Sequence, residues 1–175
     1  MSLRQTIFNY IATRHPHTAS FRNFNEVKDI LVIFESDLTE RHLQIHQLMK
    51  ELQEQDKHVV AWGFVPRRQP VTLVLRDFRV LGQKDLDLLH RPKKQLLQEL
   101  QRMHFDLVID LTTDFETLPL RYINLYANAD FRTGKAGYAE PYIHDFMIDL
   151  PEENANDTSR LFDQIIHYLK IIQSK

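Results

Sequence analysis

The sequence predicts an α/β protein with a mostly parallel sheet, and three observations lead to this prediction. The segment 105–111 is a nearly continuous apolar run followed by acidic and hydroxyl residues, and the segment 29–34 has the same character. Such runs are typical of strands that are buried on both faces, as in a parallel sheet. Segments with apolar residues at helical spacing alternate with the strands, which indicates helices on both faces of the sheet.

The chain begins with a predicted helix, followed by the first strand and a second helix. Apolar residues at helical spacing place the first helix over roughly 2–14, and it ends before Pro16 because the residue preceding a proline avoids the α region. A helix this short is expected to pack on the body of the protein or on another subunit. After the first strand, Asp37 can cap a helix, with Glu40 three residues later, that runs to about Asp56.

The middle of the chain is predicted to add strands to the sheet. Residues 58–65 and 71–75 form two of them, separated by a turn with two prolines. Residues 78–81 form either a further short strand or a loop that packs two apolar groups. Residues 84–90 form a helical turn, and Pro92 suits the first position of the next helix.

The C-terminal part continues the alternation of strands and helices. Pro119 opens a helix, residues 129–134 form a short strand that enters a turn, and residues 135–138 continue the turn. The last strand covers 145–150, and Asp157 caps the terminal helix. These elements favour right-handed crossovers between parallel strands.

The chain is expected to consist of a short N-terminal part and one domain. Residues 1–27 contain the first helix and an irregular segment, and no repeat or linker interrupts the remainder. Residues 28–175 are predicted to form a Rossmann-like three-layer α/β/α sandwich, with a mostly parallel sheet of about five or six strands.

Composition excludes several classes of protein. The net charge of −2 disfavours general binding to nucleic acid, and the absence of cysteine excludes disulfides and thiolate chemistry. No segment approaches the ~18 apolar residues needed to cross a bilayer. The N-terminus also lacks the apolar core of a signal peptide. We therefore expect a cytoplasmic protein without membrane association.

Several short fragments carry a resemblance to a known family. They are Lys84-Asp85-Leu86 with Pro92, Phe105 to Leu111, Pro119-Leu120 with Tyr122-Ile123, Ala127 to Gly134, and Phe146 to Asp149. In order and spacing, over roughly 28–150, they resemble an uncharacterised bacterial domain family of unknown function. This resemblance implies no activity.

A looser resemblance concerns the first strand and the segments around 106–134. The strand Ile30–Ile33, the strand Asp106–Leu111, the helix after it and the Ala-x-x-Arg-x-Gly segment at 129–134 are similar to the N-terminal half of heptosyltransferase-like GT-B glycosyltransferases. A complete enzyme of that kind has two such halves, and the second holds most of the nucleotide-sugar donor. The resemblance therefore implies the fold and argues against autonomous glycosyl transfer.

Polar residues that follow the two apolar strands form the first candidate site. If these strands are neighbours, Glu35 and Asp37 lie beside Asp110 and Asp114 at the edge where open α/β sheets bind ligands. Carboxylates there can hold Mg²⁺ with a phosphate or act as a general base. The alternative for Asp37 is that it serves only as a helix cap. The full predicted ligand rim is Glu35, Ser36, Asp37, Asp110, Thr112, Thr113, Asp114, Arg132 and Lys135.

Two basic segments are candidates for holding an anion. Residues 90–94 place four basic side chains at a helix start, where they either bind an anion with the backbone N–H groups or are solvated. Residues 132–137 combine Arg132 and Lys135 with two glycines, and they form either a phosphate-holding turn or a plain turn. The spacing is not that of a P-loop. If this turn lies over the strand ends, it compensates the charge of the acidic residues.

The sequence predicts no metal centre and no bound cofactor. His42 and His46 have a spacing that can place two ligands on one metal. However, Leu43 replaces the glutamate of the zinc-protease pattern, and no third ligand is visible. The alternative is that both are surface histidines. No glycine follows the first strand before Gly63, so the turn that holds the pyrophosphate of NAD(P) or FAD is missing. The nucleophile elbow of α/β hydrolases is missing as well.

These observations favour a binding or interaction module without autonomous catalysis, whose partner is an unknown small molecule or protein. The alternative is an enzyme, similar to half of a glycosyltransferase, that acts on a phosphorylated or nucleotide-linked small molecule through the acidic rim and the 132–135 turn. A third possibility is a role in assembly through the 2–14 helix. The glycine-poor segment after the first strand favours the first interpretation over the second.

Overall fold

A computed structural model of the chain describes residues 2–20, 23–37, 40–66, 74–75, 78–113, 117–137 and 141–172. The helices are α1 (Leu3–Ala12), α2 (Glu40–Gln53), α3 (Lys94–Arg102), α4 (Leu118–Tyr126) and α5 (Thr158–Ile171). The strands are β1 (Asp29–Glu35), β2 (His58–Phe64), β3 (Val74–Leu75), β4 (Phe78–Leu81), β5 (His104–Asp110), β6 (Asn128–Lys135) and β7 (Phe146–Ile148). The predicted turn after Pro66, the start of the predicted 71–75 strand and the residues between Asp37 and Glu40 lie outside the described residues.

Within the described part of the chain, seven strands form one sheet in the order β3-β4-β2-β1-β5-β6-β7. Six of them are parallel, and the two-residue β3 pairs antiparallel with β4 at one end of the sheet. From the central β1, the chain builds the sheet first towards β4 and then, from β5, in the opposite direction. This is the strand order of a Rossmann fold with one extra strand at the edge, and it confirms the predicted fold class.

The central strand β1 is buried on both faces of the sheet. Ile30, Val32 and Phe34 belong to one apolar cluster with side chains of α2 and α5, whereas Leu31 and Ile33 belong to a second cluster with side chains of α3 and α4. Alternate residues of a strand point to opposite faces, so a continuous apolar run supplies both layers. The sheet therefore lies between two layers of helices.

Helix α1 packs on the body of the protein through a third apolar cluster. The ring of Phe8 is fully buried and meets the ring of Tyr122 on α4 edge to face, with 5.0 Å between the ring centroids. Ser2 caps α1, because its Oγ accepts a hydrogen bond from the backbone N–H of Gln5 at 3.2 Å. These contacts attach the first helix of the chain to α4.

Several element boundaries differ from those predicted. The predicted helical turn over 84–90 is only a short 3-10 turn at Gln83–Asp85, and α3 begins at Lys94 rather than at Pro92. Pro92 instead forms an isolated antiparallel bridge with Leu86, which keeps it out of the helix. The predicted cap of α5 is confirmed, since Asp157 accepts a hydrogen bond from the backbone N–H of Arg160.

None of the helices among the described residues combines the length and the apolar composition that crossing a membrane requires.

Candidate functional site

The C-terminal edge of the sheet between β1 and β5 brings two of the predicted acidic residues close together. The two strands are parallel neighbours, with Ile33 paired with Asp110, and Glu35 ends β1 at the same edge. The chain leaves β1 towards one face and β5 towards the other, which opens a crevice in folds of this kind. The condition on which the predicted rim depended, that the two strands are adjacent, is therefore met.

Glu35 is buried at this edge and is hydrogen-bonded to the segment that leads into α4. The hydroxyl of Thr113 donates to Oε2 of Glu35 at 2.9 Å, and the backbone N–H of Thr113 lies 3.4 Å from the same atom. The hydroxyl of Thr117 donates to Oε1 at 3.3 Å. The carboxylate thus connects the end of β1 with the residue that precedes α4.

Asp110 is buried in a separate polar cluster, with only 1% of its surface exposed. Its Oδ2 lies 3.0 Å from Nε2 of His144 and accepts a hydrogen bond from the side-chain amide of Asn124 at 2.9 Å, while the backbone N–H of Thr112 donates to Oδ1. Burial on its own raises the pKa of Asp110, but the hydrogen bonds from His144 and Thr112 and the charge of His144 hold this pKa below its usual value.

The ring of His144 lies directly against Gly134 on β6. A Cβ atom on Gly134 would be 2.5 Å from Nε2 of His144, closer than side-chain atoms can approach. Only a residue without a side chain therefore leaves room for the contact between His144 and Asp110. The resulting cluster ties β5, β6 and α4 to the segment before β7.

The other acidic and hydroxyl residues of the predicted rim have separate surroundings. Ser36 is buried and its backbone N–H donates to the carbonyl of Phe64 at 2.9 Å, whereas Asp37 is exposed. Thr112 is also buried, and its hydroxyl has no hydrogen-bond partner among the described residues. Asp114 lies outside the described residues. In the part of the chain that the structure describes, no group of three or more histidine and acidic side chains is arranged to hold a metal ion.

For residues 132–137 the sequence left open a phosphate-holding turn or a plain turn, and residues 132–135 form neither, because they belong to strand β6. The predicted short strand over 129–134 is confirmed. Pairing with β7 carries the strand through Lys135, and the turn follows at Ala136 and Gly137. Nη2 of Arg132 donates to the carbonyl of Ala127 at 2.9 Å, and burial lowers the pKa of Arg132. Nζ of Lys135 donates to the carbonyl of Ala155 at 2.6 Å. Neither cation is among the described residues that line the cavity below.

The predicted pair of histidines on α2 is described only in part. The ring of His46 stacks on Phe78, with the ring centroids 4.4 Å apart. The side chain of His42 lies outside the described part of the chain. The contact of His46 is therefore with an aromatic core residue of β4.

A cavity of about 550 Å³ opens beside this edge, where two helices begin. Ser2, Arg4 and Gln5 come from the cap and the first turn of α1, and other lining residues come from the start of α4. Among the described lining residues the basic ones are Arg4 and His90, and none is acidic. The complete described lining is Ser2, Arg4, Gln5, Phe64, Pro66, Gln83, His90, Thr117, Leu118 and Pro119.

Both helix starts contribute to the electrostatic character of the cavity. The positive end of a helix dipole lies at the start of the helix. Of the first-turn N–H groups here, those of Gln5 and Leu120 already donate to Ser2 and Thr117, and Pro119 has none. Two such ends, together with Arg4 and His90, make this cavity suited to a negatively charged group.

A second, smaller cavity of about 330 Å³ lies between α3 and α4. Asp87, Arg91 and Tyr122 are among the residues that line it. Burial raises the pKa of Tyr122 to about 12. Since Gln83 and His90 line the first cavity, the loop over 82–92 lies between the two.

Comparison with known families gives a match that extends over nearly the whole chain. Residues 1–172 match a family of unknown function, DUF6913. The chain belongs to this family. No curated protein and no solved structure matches it. The predicted resemblance to a family of unknown function is thus confirmed and extends beyond the predicted 28–150, whereas the resemblance to GT-B glycosyltransferases remains a prediction.

Reasoning from sequence missed most of the residues that line the larger cavity of this DUF6913 chain. It identified the start of α4 from Pro119 and the basic segment that contains His90, but not that α1 begins beside them. Serine at position 2, before an apolar helical pattern, is a signal for a helix start. Nothing in the sequence reports that the two helix starts are neighbours, because that depends on the packing of Phe8 against Tyr122.

The absence of a dinucleotide cofactor stays a prediction for this family member. The residues that follow β1 are Ser36 and Asp37, where a dinucleotide-binding turn would have glycine. We therefore expect no binding of NADH or FAD at micromolar concentrations. Fluorescence titration of NADH and the absorbance spectrum of the purified protein measure this, and a saturable NADH signal or a copurified flavin would show the expectation to be wrong.

Proposed function

We propose that this protein is a binding module without autonomous catalysis, which takes a small anionic ligand in the 550 Å³ cavity at the starts of α1 and α4. The observation that carries the proposal is the composition of the described cavity wall, with two basic residues and no acidic one. Its volume falls within the range of about 300–1,000 Å³ that is typical of small-molecule sites.

The surroundings of the acidic residues at the same edge support an anion as the ligand. The carboxylate of Glu35 accepts hydrogen bonds from Thr113 and Thr117, and that of Asp110 from Asn124 and Thr112. Each carboxylate is thus directed to partners within the protein. We therefore expect that binding of the anion in this cavity does not require Mg²⁺.

The apolar part of the wall indicates what else the ligand carries. Phe64 and Pro66 at the end of β2 and Leu118 and Pro119 at the start of α4 provide apolar surface. Ser2, Gln5, Gln83 and Thr117 are neutral and polar. A ligand with one anionic group and a compact apolar or ring-shaped body matches this division.

Both predicted parts of the chain contribute to the cavity. The predicted division at residue 27 is retained, with the N-terminal part supplying Ser2, Arg4 and Gln5 to the cavity. A cytoplasmic location fits a chain without cysteine, and a net charge of −2 fits a ligand other than bulk nucleic acid. The alternative of an enzyme used Arg132 and Lys135 together at the acidic rim. Arg132 instead donates to the carbonyl of Ala127, before β6, and Lys135, at the end of β6, donates to the carbonyl of Ala155.

Calorimetric titration with phenyl phosphate tests the proposal, since this probe joins an anion to an apolar ring. We expect saturable binding that is unchanged by Mg²⁺ or EDTA and is much weaker for phenol, which lacks the charge. Arg4→Gln should weaken binding by at least about tenfold, because hydrogen bonds to charged groups contribute about 1.5–3 kcal/mol.

Arg102→Gln is the matched control for this substitution. Arg102 is exposed at the C-terminal end of α3 and is not among the described residues that line the cavity. Phenyl phosphate that binds no better than phenol, or an affinity that Arg4→Gln and Arg102→Gln change equally, would contradict an anion site in this cavity.

A further inference from the structure

His90 has a backbone conformation that L-amino acids rarely adopt. Its φ is 60°, in the left-handed region, and among the described residues other than glycine only Asp56 shares a positive φ. The Cβ atom destabilises this conformation, which glycine adopts freely and asparagine tolerates better than most residues. Histidine is found in this region more often than most other residues, but it is still less stable there than glycine.

The carboxylate of Asp87 holds the loop around His90 in place. Its Oδ1 accepts hydrogen bonds from the backbone N–H groups of Leu89 at 2.8 Å and Arg91 at 3.0 Å, and its Oδ2 accepts one from Nε of Arg91 at 2.8 Å. The backbone N–H of His90 donates to the carbonyl of Asp87, and that of Asp87 donates to the carbonyl of Arg91. Hydrogen bonds between residues of the loop itself therefore fix its conformation.

These bonds also affect the ionisation of Asp87. Partial burial on its own raises the pKa of Asp87, but the hydrogen bonds from Arg91 and Leu89 outweigh it and hold this pKa below the usual value. The carboxylate is therefore ionised at neutral pH, when it binds the Arg91 guanidinium most strongly.

The loop presents its residues to different surroundings. His90 is half-buried and lines the 550 Å³ cavity, whereas Leu88 has 96% of its surface exposed. Gln83, in the same loop, donates from Nε2 to the carbonyl of Pro66 at 3.1 Å, which fixes the loop against the end of β2. The strained residue of the loop is thus the one that reaches the cavity together with Gln83.

We infer that His90 is a ligand-binding residue of this cavity, that its imidazole contacts the anionic group of the ligand, and that Asp87 positions it by enforcing the left-handed conformation. This inference rests on the proposed function and assigns a role within the same site. A position that served only to turn the chain would be more stable with glycine.

The matched substitutions His90→Gly and His90→Ala separate the ligand contact from the backbone strain. Both remove the imidazole, so both should weaken binding of phenyl phosphate by about tenfold. Glycine relieves the strain and alanine does not, so the melting temperature of His90→Gly should exceed that of His90→Ala by about 2–4 °C. Unchanged affinity in both variants, or equal melting temperatures, would overturn the inference.

Substitutions of Asp87 test its positioning role. Asp87→Ala should weaken phenyl phosphate binding as much as His90→Ala does, and the ligand should no longer shift the NMR signals of the His90 ring. Asp87→Asn keeps an oxygen that accepts from Leu89 and Arg91, so it should recover part of both effects. Full binding by Asp87→Ala, with the ring signals still shifted by the ligand, would exclude this role.

The results for Arg4→Gln and for the His90 variants together distinguish a failure of the proposed anion site from a failure of the role of His90. If Arg4→Gln weakens binding and the His90 variants do not, the cavity binds anions and only the role of His90 fails. If wild-type protein does not bind phenyl phosphate, both the proposed function and the role of His90 fail.

Discussion

The substitution Ile109→Ala is expected to lower the free energy of unfolding by about 2–5 kcal/mol, the usual cost of deleting a buried aliphatic group. Ile109 has none of its surface exposed and lies on β5, between β1 and β6. Removal of its side chain leaves a cavity that neighbouring strands cannot close, because their hydrogen bonds fix their separation. Leu107→Ala, two residues earlier on the same face, should have an effect of the same size.

Denaturant unfolding followed by circular dichroism measures this loss. Leu88→Ala is the matched control, since it removes a side chain of the same kind that is 96% exposed, and its effect should stay within about 0.5 kcal/mol. A loss smaller than about 1 kcal/mol for both core variants would mean that β5 is not buried at the centre of the sheet.

The fold could be predicted because its central strands differ in composition from the rest of the chain. The runs at 29–34 and 105–111 are apolar without alternation, and only a strand covered on both faces requires this pattern. Boundaries were less predictable where tertiary pairing decides them. Strand β6 continues through Lys135 because β7 pairs with it, and no local preference of Lys135 indicates that.

The candidate site was predictable only in part. The edge of the sheet follows from the fold class, and Glu35 and Asp110 follow from their positions at strand ends. Their partners do not, since Thr117 is 82 residues from Glu35 and His144 is 34 residues from Asp110. Whether a carboxylate faces a ligand or an internal donor depends on such distant residues.

The second large effect is expected for Asp110→Ala, which should lower the free energy of unfolding by about 3–5 kcal/mol. The substitution leaves the buried side chains of His144 and Asn124 without the acceptor that both now contact. Asp110→Asn keeps the size of the side chain and one acceptor oxygen for Thr112, so a smaller loss of about 1–3 kcal/mol is expected. Asp163→Asn, on the exposed face of α5, is the matched control and should have an effect close to zero.

The loss of unfolding free energy caused by Asp110→Asn should become smaller in acidic solution. In the folded protein the pKa of Asp110 lies below its ordinary value of 3.8. Folding therefore stabilises the ionised form of this carboxyl group relative to the protonated form. This contribution is complete above about pH 5 and is lost progressively as the pH falls through 3.8 towards the folded-state pKa. The difference in stability between wild type and Asp110→Asn should therefore decrease as the pH falls below about 5.

A double-mutant cycle shows whether the loss comes from the contact with His144. Asp110→Asn, His144→Gln and the double variant are compared by denaturant unfolding at neutral pH. Because the two side chains are in contact and almost fully buried, a coupling free energy of about 0.5–3 kcal/mol is expected. Losses that add within about 0.3 kcal/mol would mean that each residue stabilises the fold independently, and that their contact does not hold the segment before β7 against β5.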